Sequence, residues 1–202
     1  CRALKLHGCA PPVKPNKPLA KEYLSEHLDV LQNGLAHLQH HIQTITQKFG
    51  VRVVVAVNKM SIDTDAELKM VCQAAKDAGA DDAVVSSHWE DGGKGAVNLA
   101  IATMNACKDA NKTPESDTFK YLYDINAPIK VKLLTICKEV YNASNVTYSL
   151  EAEESIRAYE QLGLTNLPIC IAKTQYSLST DSKALGVPKN HTVNVREVKA
   201  SM

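Results

Sequence analysis

The segment from Val51 to Glu67 constrains the fold more than any other part of the sequence. Residues Val51 to Val57 are apolar except for Arg52, a pattern typical of a strand that is buried on both faces. Polar residues follow at once, and Thr64 with Glu67 forms a T-x-x-E capping box that begins a helix. Because ligands bind at the carboxyl ends of strands in open parallel sheets, this strand end is a candidate functional site.

Helix and strand patterns alternate along the first half of the chain. One long amphipathic helix is predicted from Leu24 to Phe49, with Gly50 as its stop. The capped helix ends near Gly79, a short strand is predicted at Ala83 to Ser86, and the next helix carries Val97 to Met104. This alternation predicts an α/β fold, with a mostly parallel sheet and helices on both of its faces.

The chain is predicted to divide into two parts. Residues 1–108 form an α/β segment with strand-end ligand loops, residues 109–118 form a polar, aperiodic linker or surface excursion, and residues 119–202 form a smaller α/β subdomain, truncated at its C-terminal end. Because the chain begins at Cys1 and stops just after a strand-like stretch, we expect a fragment of a larger multi-domain protein. The elements predicted in the smaller part are a helix from Pro128, a helix from about Leu150 to before Gly163, and strands at Pro168 to Ala172 and Thr192 to Val198.

Composition limits the class of function. The formal net charge is +1, and no long basic stretch is interleaved with aromatic residues, which disfavours nucleic-acid binding. No apolar run reaches the ~18 residues of a membrane helix, so no membrane role is predicted. The six cysteines form no CxxC pair, which predicts reduced thiols in a cytoplasmic protein that acts on small molecules.

Four polar residues crowd the end of the first strand: Asn58, Lys59, Asp63 and Thr64. We interpret them as ligand-binding, with a strand-end turn and Asx cap as the alternative. They resemble the base-reading N-K-x-D loop of GTPases, but Ser61 stands where that motif needs aspartate. No G-x-x-x-x-G-K-[ST] phosphate loop occurs in the chain, so guanine specificity is not supported.

A second candidate loop follows the second strand. Trp89 is the only tryptophan, and its ring is a candidate for stacking on a flat ligand or for ordinary packing. Gly92, Gly93, Lys94 and Gly95 follow, and their backbone N–H groups with the lysine charge suit an anion at the next helix start. We therefore regard these four residues as nucleotide- or anion-binding candidates.

Further residues carry weaker signals. Lys173 follows the predicted strand at Pro168 to Ala172 and is another anion-binding candidate, whereas Cys170 lies inside that strand and is expected to fill core space. The histidines at 37, 40 and 41 fall at helical spacings, but no carboxylate or cysteine joins them, so a solvated helix face is favoured over a metal site. No metal site and no catalytic residue is assigned.

Several motifs in order and spacing resemble one family. They are RALKLHG at Arg2 to Gly8, VVVAVNKM with DTDAE, SSHWEDGGKGA, KYLYD, and NLPICIAKTQYSLS followed by KALGVPK. Together they resemble formate-tetrahydrofolate ligase, the 10-formyltetrahydrofolate synthetase. The SSHWEDGGKGA and IAKTQYSLS forms look like the eukaryotic enzymes, in which this module ends a multifunctional one-carbon synthase.

The resemblance implies a P-loop NTPase-like fold and an ATP-dependent ligase. ATP phosphorylates formate to formyl phosphate, and the N10 amine of tetrahydrofolate then attacks the formyl carbon to give 10-formyltetrahydrofolate, ADP and phosphate. ATP with Mg²⁺, formate and tetrahydrofolate are the implied partners of a homo-oligomeric enzyme in the cytoplasm or, alternatively, the mitochondrion. The resemblance places the phosphate loop before Cys1, so we expect these residues alone to be inactive and to supply a folate-binding wall.

The resemblance also assigns two residues and exposes three departures, of which Met60 is one. The tryptophan that stacks on the folate ring matches Trp89, and Met60 stands where an aromatic residue usually forms the other side of the slot. Cys9 replaces a family glycine, and Thr165 stands at the second glycine of the family's GFGNLP. A diverged inactive scaffold and a GTPase-like nucleotide-binding fragment remain the alternatives.

Overall fold

The computed structural model describes residues 1–11, 13, 16–110, 119–173 and 177–200, with the side chains of residues 109 and 110 left out. The chain divides into two compact units, Cys1–Lys120 and Tyr121–Met202. Most of the predicted linker at 109–118 lies outside the described residues; its first two residues end a helix. None of the helices in the described ranges is long and apolar enough to cross a membrane.

The first unit combines helices with a parallel pair of strands. Strands β1 (Val54–Asn58) and β2 (Asp82–Ser86) pair in parallel. The helices are α1 (Arg2–His7), α2 (Lys21–Leu24), α3 (Leu28–Gln43), α4 (Asp65–Asp77), α5 (His88–Asp91) and α6 (Val97–Ala110). A π-helical turn at Thr44–Lys48 extends α3, and a 3-10 turn at Gly92–Ala96 joins α5 to α6.

The predicted order of strand, capped helix and strand is confirmed. Thr64 Oγ1 accepts a hydrogen bond from the Glu67 backbone N–H at 3.3 Å, as the capping box predicts. The first strand begins at Val54 rather than Val51, because the residues before it bind the side chain of Asp81. Val53 N–H donates to Asp81 Oδ2 at 3.0 Å, and Arg52 forms an ion pair with the other carboxylate oxygen.

The single long helix predicted from Leu24 to Phe49 is wrong at its start. The helix is interrupted between α2 and α3. There the Ser25 carbonyl accepts a hydrogen bond from Lys5 Nζ at 2.9 Å, and His27 N–H donates to Glu67 Oε1 at 3.0 Å. Because side chains of α1 and α4 bind these backbone groups, the apolar periodicity continues across a break that it does not reveal.

Helix α1 packs on α3 with backbone against backbone. A Cβ atom added to Gly8 would collide with the Val30 carbonyl, and one added to Gly34 would collide with the Leu4 carbonyl. Glycine at both positions therefore permits the close approach. Around it, the main core of the unit consists of Leu31, Leu35, Val57, Leu68, Val71 and Ala74.

The second unit contains another parallel pair of strands. Its elements are α7 (Ile129–Glu139), β3 (Ala143–Tyr148), α8 (Leu150–Gln161), a 3-10 turn (Leu164–Asn166) and β4 (His191–Val195), with β3 parallel to β4. Both predicted helices are confirmed, and β4 covers most of the strand predicted at Thr192 to Val198. Strand β3 was not predicted, because its sequence, ASNVTY, has polar residues in the places where the apolar pattern of a strand is expected.

The strand predicted at Pro168 to Ala172 is wrong. These residues belong to none of the strands in the described ranges. Ile169 and Ile171 are partly buried against the core formed by Ile129, Leu133 and Ile156, whereas Cys170 is exposed. The expectation that Cys170 fills core space is therefore wrong, because alternate residues of this apolar run face opposite sides.

Candidate functional site

The carboxyl ends of β1 and β2 lie side by side. Asn58 is the register partner of Ser86, and Lys59 N–H donates to the Ser86 carbonyl at 2.9 Å. The loops that follow the two strands therefore leave the same edge of the pair. Asn58 is exposed and Lys59 half-buried, and within the described ranges neither side chain makes a hydrogen bond or ion pair.

Asp63 and Thr64 are engaged in local structure. Asp63 Oδ2 accepts from Met60 N–H at 2.9 Å, and Asp63 N–H donates to the Met60 carbonyl at 3.0 Å. Thr64 Oγ1 caps α4 and also donates to Glu26 Oε2 at 2.6 Å. This geometry is that of the strand-end turn with an Asx cap. Of the four predicted candidates, Asn58 and Lys59 are consequently the ones whose side chains remain open to a ligand.

Trp89 lies on the single turn of α5, and the residue is 83% exposed. The turn is anchored from below: buried Ser86 Oγ bonds to His88 Nδ1 at 2.9 Å, and Ser87 N–H donates to the Gly95 carbonyl at 3.1 Å. A large aromatic ring is thus presented to solvent on a fixed support. Such a ring loses little conformational entropy when a flat ligand covers it.

Met60 lies on the loop that follows β1, whose carboxyl end is next to that of β2. Its side chain is 45% exposed, two residues after the end of β1. A thioether is polarisable and packs well against aromatic rings. The neighbouring ends of β1 and β2 are therefore each followed by an exposed apolar residue, Met60 after β1 and Trp89 after β2.

The part of the prediction that places Gly92 to Gly95 in a loop is wrong, because the stretch is helical. It forms the 3-10 turn that leads directly into α6. Gly92, at φ +60, and Gly93 have open space around them, and Lys94 is exposed with no ion pair among the described residues. Gly95 differs, because a Cβ atom there would collide with the backbone of Ser87 and His88.

Lys173 lies in the second unit. Its Nζ donates to the Ser177 carbonyl and lies 5.1 Å from the centre of the Tyr141 ring. Burial lowers its pKa below the usual range for lysine. These contacts give Lys173 a part in the packing of its own unit.

A buried ion pair in the first unit was missed by the sequence analysis. Lys5 Nζ lies 2.7 Å from Glu67 Oε1, and the two side chains are 1% and 0% exposed. Glu67 Oε2 is buried and has no hydrogen-bond partner among the described residues. The capping-box pattern hides this role, because it predicts that the glutamate turns back to its own helix start.

Cys1, Asp63 and Glu67 form a potential ligand group next to this ion pair. Among the described residues they are the one set of three whose metal-binding atoms lie within 4.8 Å of one another. The set does not fit Mg²⁺, which requires oxygen ligands and keeps several waters. Here one ligand is a thiol, and Glu67 already binds the Lys5 ammonium in a buried setting.

An apolar cleft of about 210 Å³ borders β1. Its lining is aliphatic apart from Cys1 and Asn58, so it suits an apolar side chain better than a phosphate or carboxylate. The lining residues are Cys1, Leu4, Leu38, Val55, Ala56, Val57, Asn58 and Val71.

The parallel strands, the exposed ring and the open polar strand end are features of an α/β ligand-binding protein. The sequence model of the formate-tetrahydrofolate ligase family matches residues 1–202, and the chain belongs to that family. The resemblance drawn from the motifs is thereby confirmed. A match over the whole length also disfavours the GTPase-like alternative.

Curated relatives are similar along the whole chain. It is 46% identical over 201 residues to the mitochondrial C-1-tetrahydrofolate synthase of Saccharomyces cerevisiae, covering 100% of this chain and 20% of the relative. It is 44% identical over 200 residues to the cytoplasmic C-1-tetrahydrofolate synthase of Schizosaccharomyces pombe, covering 99% and 21%. It is 43% identical over 201 residues to the formate-tetrahydrofolate ligase of Spinacia oleracea, covering 100% and 30%.

The chain thus spans 20% to 30% of the length of these relatives. Cytoplasmic and mitochondrial relatives match to nearly the same degree, so the percentage of identical residues favours neither compartment for this chain.

Proposed function

We propose that this chain is part of an ATP-dependent ligase that forms 10-formyltetrahydrofolate from formate and tetrahydrofolate through formyl phosphate. Membership of the formate-tetrahydrofolate ligase family over all 202 residues supports the reaction. The observation that carries the role of this chain is Trp89, a residue 83% exposed on an anchored turn. The proposal includes a P-loop NTPase-like fold and a homo-oligomeric complete enzyme.

The first unit supplies one wall of the folate site. Trp89 stacks on the folate ring system, and Met60 covers the opposite face from the neighbouring loop. An aromatic stack contributes about 0.5–1.5 kcal/mol beyond the area that it buries. Its main effect is on geometry, because a fixed ring plane places the N10 amine for attack on the formyl carbon.

The polar groups of the same edge bind anions or the polar parts of the folate. Asn58 supplies an amide, Lys59 and Lys94 supply positive charge, and Gly92 with Gly93 exposes backbone N–H groups. Formate is a poor acyl donor until phosphate becomes its leaving group. The protein therefore contributes mainly by binding anions and excluding water, while ATP supplies the phosphoryl group.

Fluorescence of the single tryptophan tests the folate wall directly. Titration with tetrahydrofolate is expected to give saturable quenching of Trp89, since the ligand ring covers an indole that is otherwise in water. Free N-acetyltryptophanamide, titrated in parallel, corrects for light absorbed by the folate. If the quenching of Trp89 equals that of free N-acetyltryptophanamide at every concentration, Trp89 does not bind the folate ring. That result contradicts the proposed folate-binding wall and favours the alternative of a diverged inactive scaffold.

Met60 provides a second, graded test. Met60→Phe restores a ring and is expected to tighten tetrahydrofolate binding about threefold, whereas Met60→Ala weakens it by about threefold to tenfold. Met104→Ala is the matched control, because Met104 is another methionine of the first unit and is 57% exposed. Calorimetry measures all three, and equal effects of Met60→Ala and Met104→Ala contradict a specific role for Met60.

A further inference from the structure

Histidines from two helices form one cluster in the first unit. His7 of α1 is 8% exposed and stacks on His37 of α3, with 3.6 Å between ring centroids and 10° between ring planes. His37 Nε2 and His41 Nε2 lie 3.1 Å apart, and the His40 ring is edge-on to His41 at 5.9 Å. His37 is half-buried and contacts α1, whereas His41 is exposed, so the solvated helix face expected from the sequence holds for His41 but not for His37.

The distance between His37 Nε2 and His41 Nε2 matches the spacing of two ligands on one metal ion. With zinc–nitrogen bonds of about 2.0–2.1 Å, two imidazoles at a tetrahedral angle place their nitrogens about 3.3–3.4 Å apart. At a right angle, as in square-planar or octahedral sites, the separation is about 2.9 Å. The observed 3.1 Å lies between these values, and histidines at i and i+4 share one helix face.

The surroundings of the pair suit a bound ion. The stack with His7 restricts rotation of the His37 ring, so that half of the ligand pair is already oriented. His41 is exposed, which leaves a path from solvent and room for water as the remaining ligands. The close approach of α1 and α3 at Gly8 and Gly34 brings the two helices into this contact.

We propose that His37 and His41 bind a first-row transition-metal ion of the Zn²⁺ and Ni²⁺ class through their Nε2 atoms. In the contact without an ion, one ring donates an Nε2–H to the other. When the ion binds, that ring changes to the tautomer with its proton on Nδ1, so both imidazoles stay neutral, both Nε2 lone pairs face the ion, and water completes the coordination. The site shares no residue with the strand-end loops and does not depend on the ligase function.

The binding of Ni²⁺ alone to the 202-residue chain, measured by calorimetry in a non-chelating buffer at pH 7.5, tests the site. His41→Gln is expected to weaken binding at least tenfold, and His37→Gln by the same factor. His40→Gln, which removes one imidazole from the same helix, stays within about twofold. Because His41 is exposed, its substitution leaves the fold intact even where His37→Gln disturbs packing.

The absorption spectrum of added Co²⁺ identifies the ligand type. Imidazole and water ligands give weak visible bands without a thiolate charge-transfer band in the near ultraviolet. A strong near-ultraviolet band overturns the proposal, since it assigns the ion to cysteine. Equal Ni²⁺ affinity of His41→Gln and His40→Gln overturns it as well, because the 3.1 Å contact is then a hydrogen bond alone.

Discussion

At the scale of single residues, the two departures from the family glycines have opposite consequences. Cys9 has φ +72, in the left-handed region where glycine is favoured and a side chain is strained. Thr165 lies in a 3-10 turn without a positive φ, and its carbonyl accepts a hydrogen bond from Lys132 Nζ. The backbone therefore still requires a glycine-like conformation at position 9 but not at position 165.

Cys9→Gly is expected to raise the free energy of unfolding by about 0.5–1 kcal/mol, since relief of the left-handed strain exceeds the added entropy of the unfolded chain. Urea denaturation measures the change. Thr165→Gly is the matched control and is expected to lower stability by about 0.5–1 kcal/mol, because nothing is relieved there. A loss of stability in both variants contradicts the strain at Cys9.

At the scale of elements, the Lys5–Glu67 ion pair connects α1, α4 and the break before α3. Lys5 also donates to the Ser25 carbonyl, and Glu67 accepts from His27 N–H. Each side chain thus binds one backbone group that the interrupted helix leaves without a helical partner. Both charges are fully removed from water, and their mutual attraction offsets the cost of that burial.

Lys5→Met is expected to cost about 3–5 kcal/mol of unfolding free energy, because the Glu67 carboxylate is then buried without a countercharge. The double variant Lys5→Met with Glu67→Met recovers much of this loss, because it removes the second charge. Lys130→Met is the control, since it breaks an exposed pair with Glu153 and costs less than about 1 kcal/mol. Chemical denaturation of the four proteins tests this, and a double variant no more stable than Lys5→Met contradicts the electrostatic explanation.

The same elements show which parts of the fold a sequence reveals. The T-x-x-E cap, Pro128 and the apolar periodicity are local signals, and they correctly predicted α4, α7 and β2. The break at Ser25 depends on side chains 20 and 40 residues away, which no local pattern contains. For the site, the place of Trp89 in a polar, glycine-rich segment after a strand identified it as a candidate. The hydrogen bonds between Asp63 and Met60, and the close approach of Gly95 to the backbone of Ser87 and His88, depend on the folded structure and have no sequence pattern.

At the scale of the whole molecule, each unit has its own core and its own histidine whose pKa is lowered by burial. The first unit packs around Leu31 and Leu35, and the second around Ile129 and Ile156. Burial, with a further contribution from His37, lowers the pKa of His7 to about 4, and burial also lowers the pKa of His191 in the second unit. The stability of the two units therefore depends on pH through different side chains.

The sign of that dependence follows from which state binds the proton. The unfolded chain protonates His7 near its ordinary pKa of 6.5, and the folded unit only near 4, so stability is complete above 6.5 and is lost as pH falls towards 4. At pH 5 the loss is on the order of 1–2 kcal/mol.

Hydrogen exchange followed by mass spectrometry, corrected for intrinsic rates, is expected to show falling protection of α3 between pH 7 and pH 5. His7→Phe retains a stacking ring without a titrating nitrogen and should flatten this dependence in α3 but not in α7, whereas His191→Leu should do the reverse; an unchanged pH profile of α3 in His7→Phe rules out His7 as its cause.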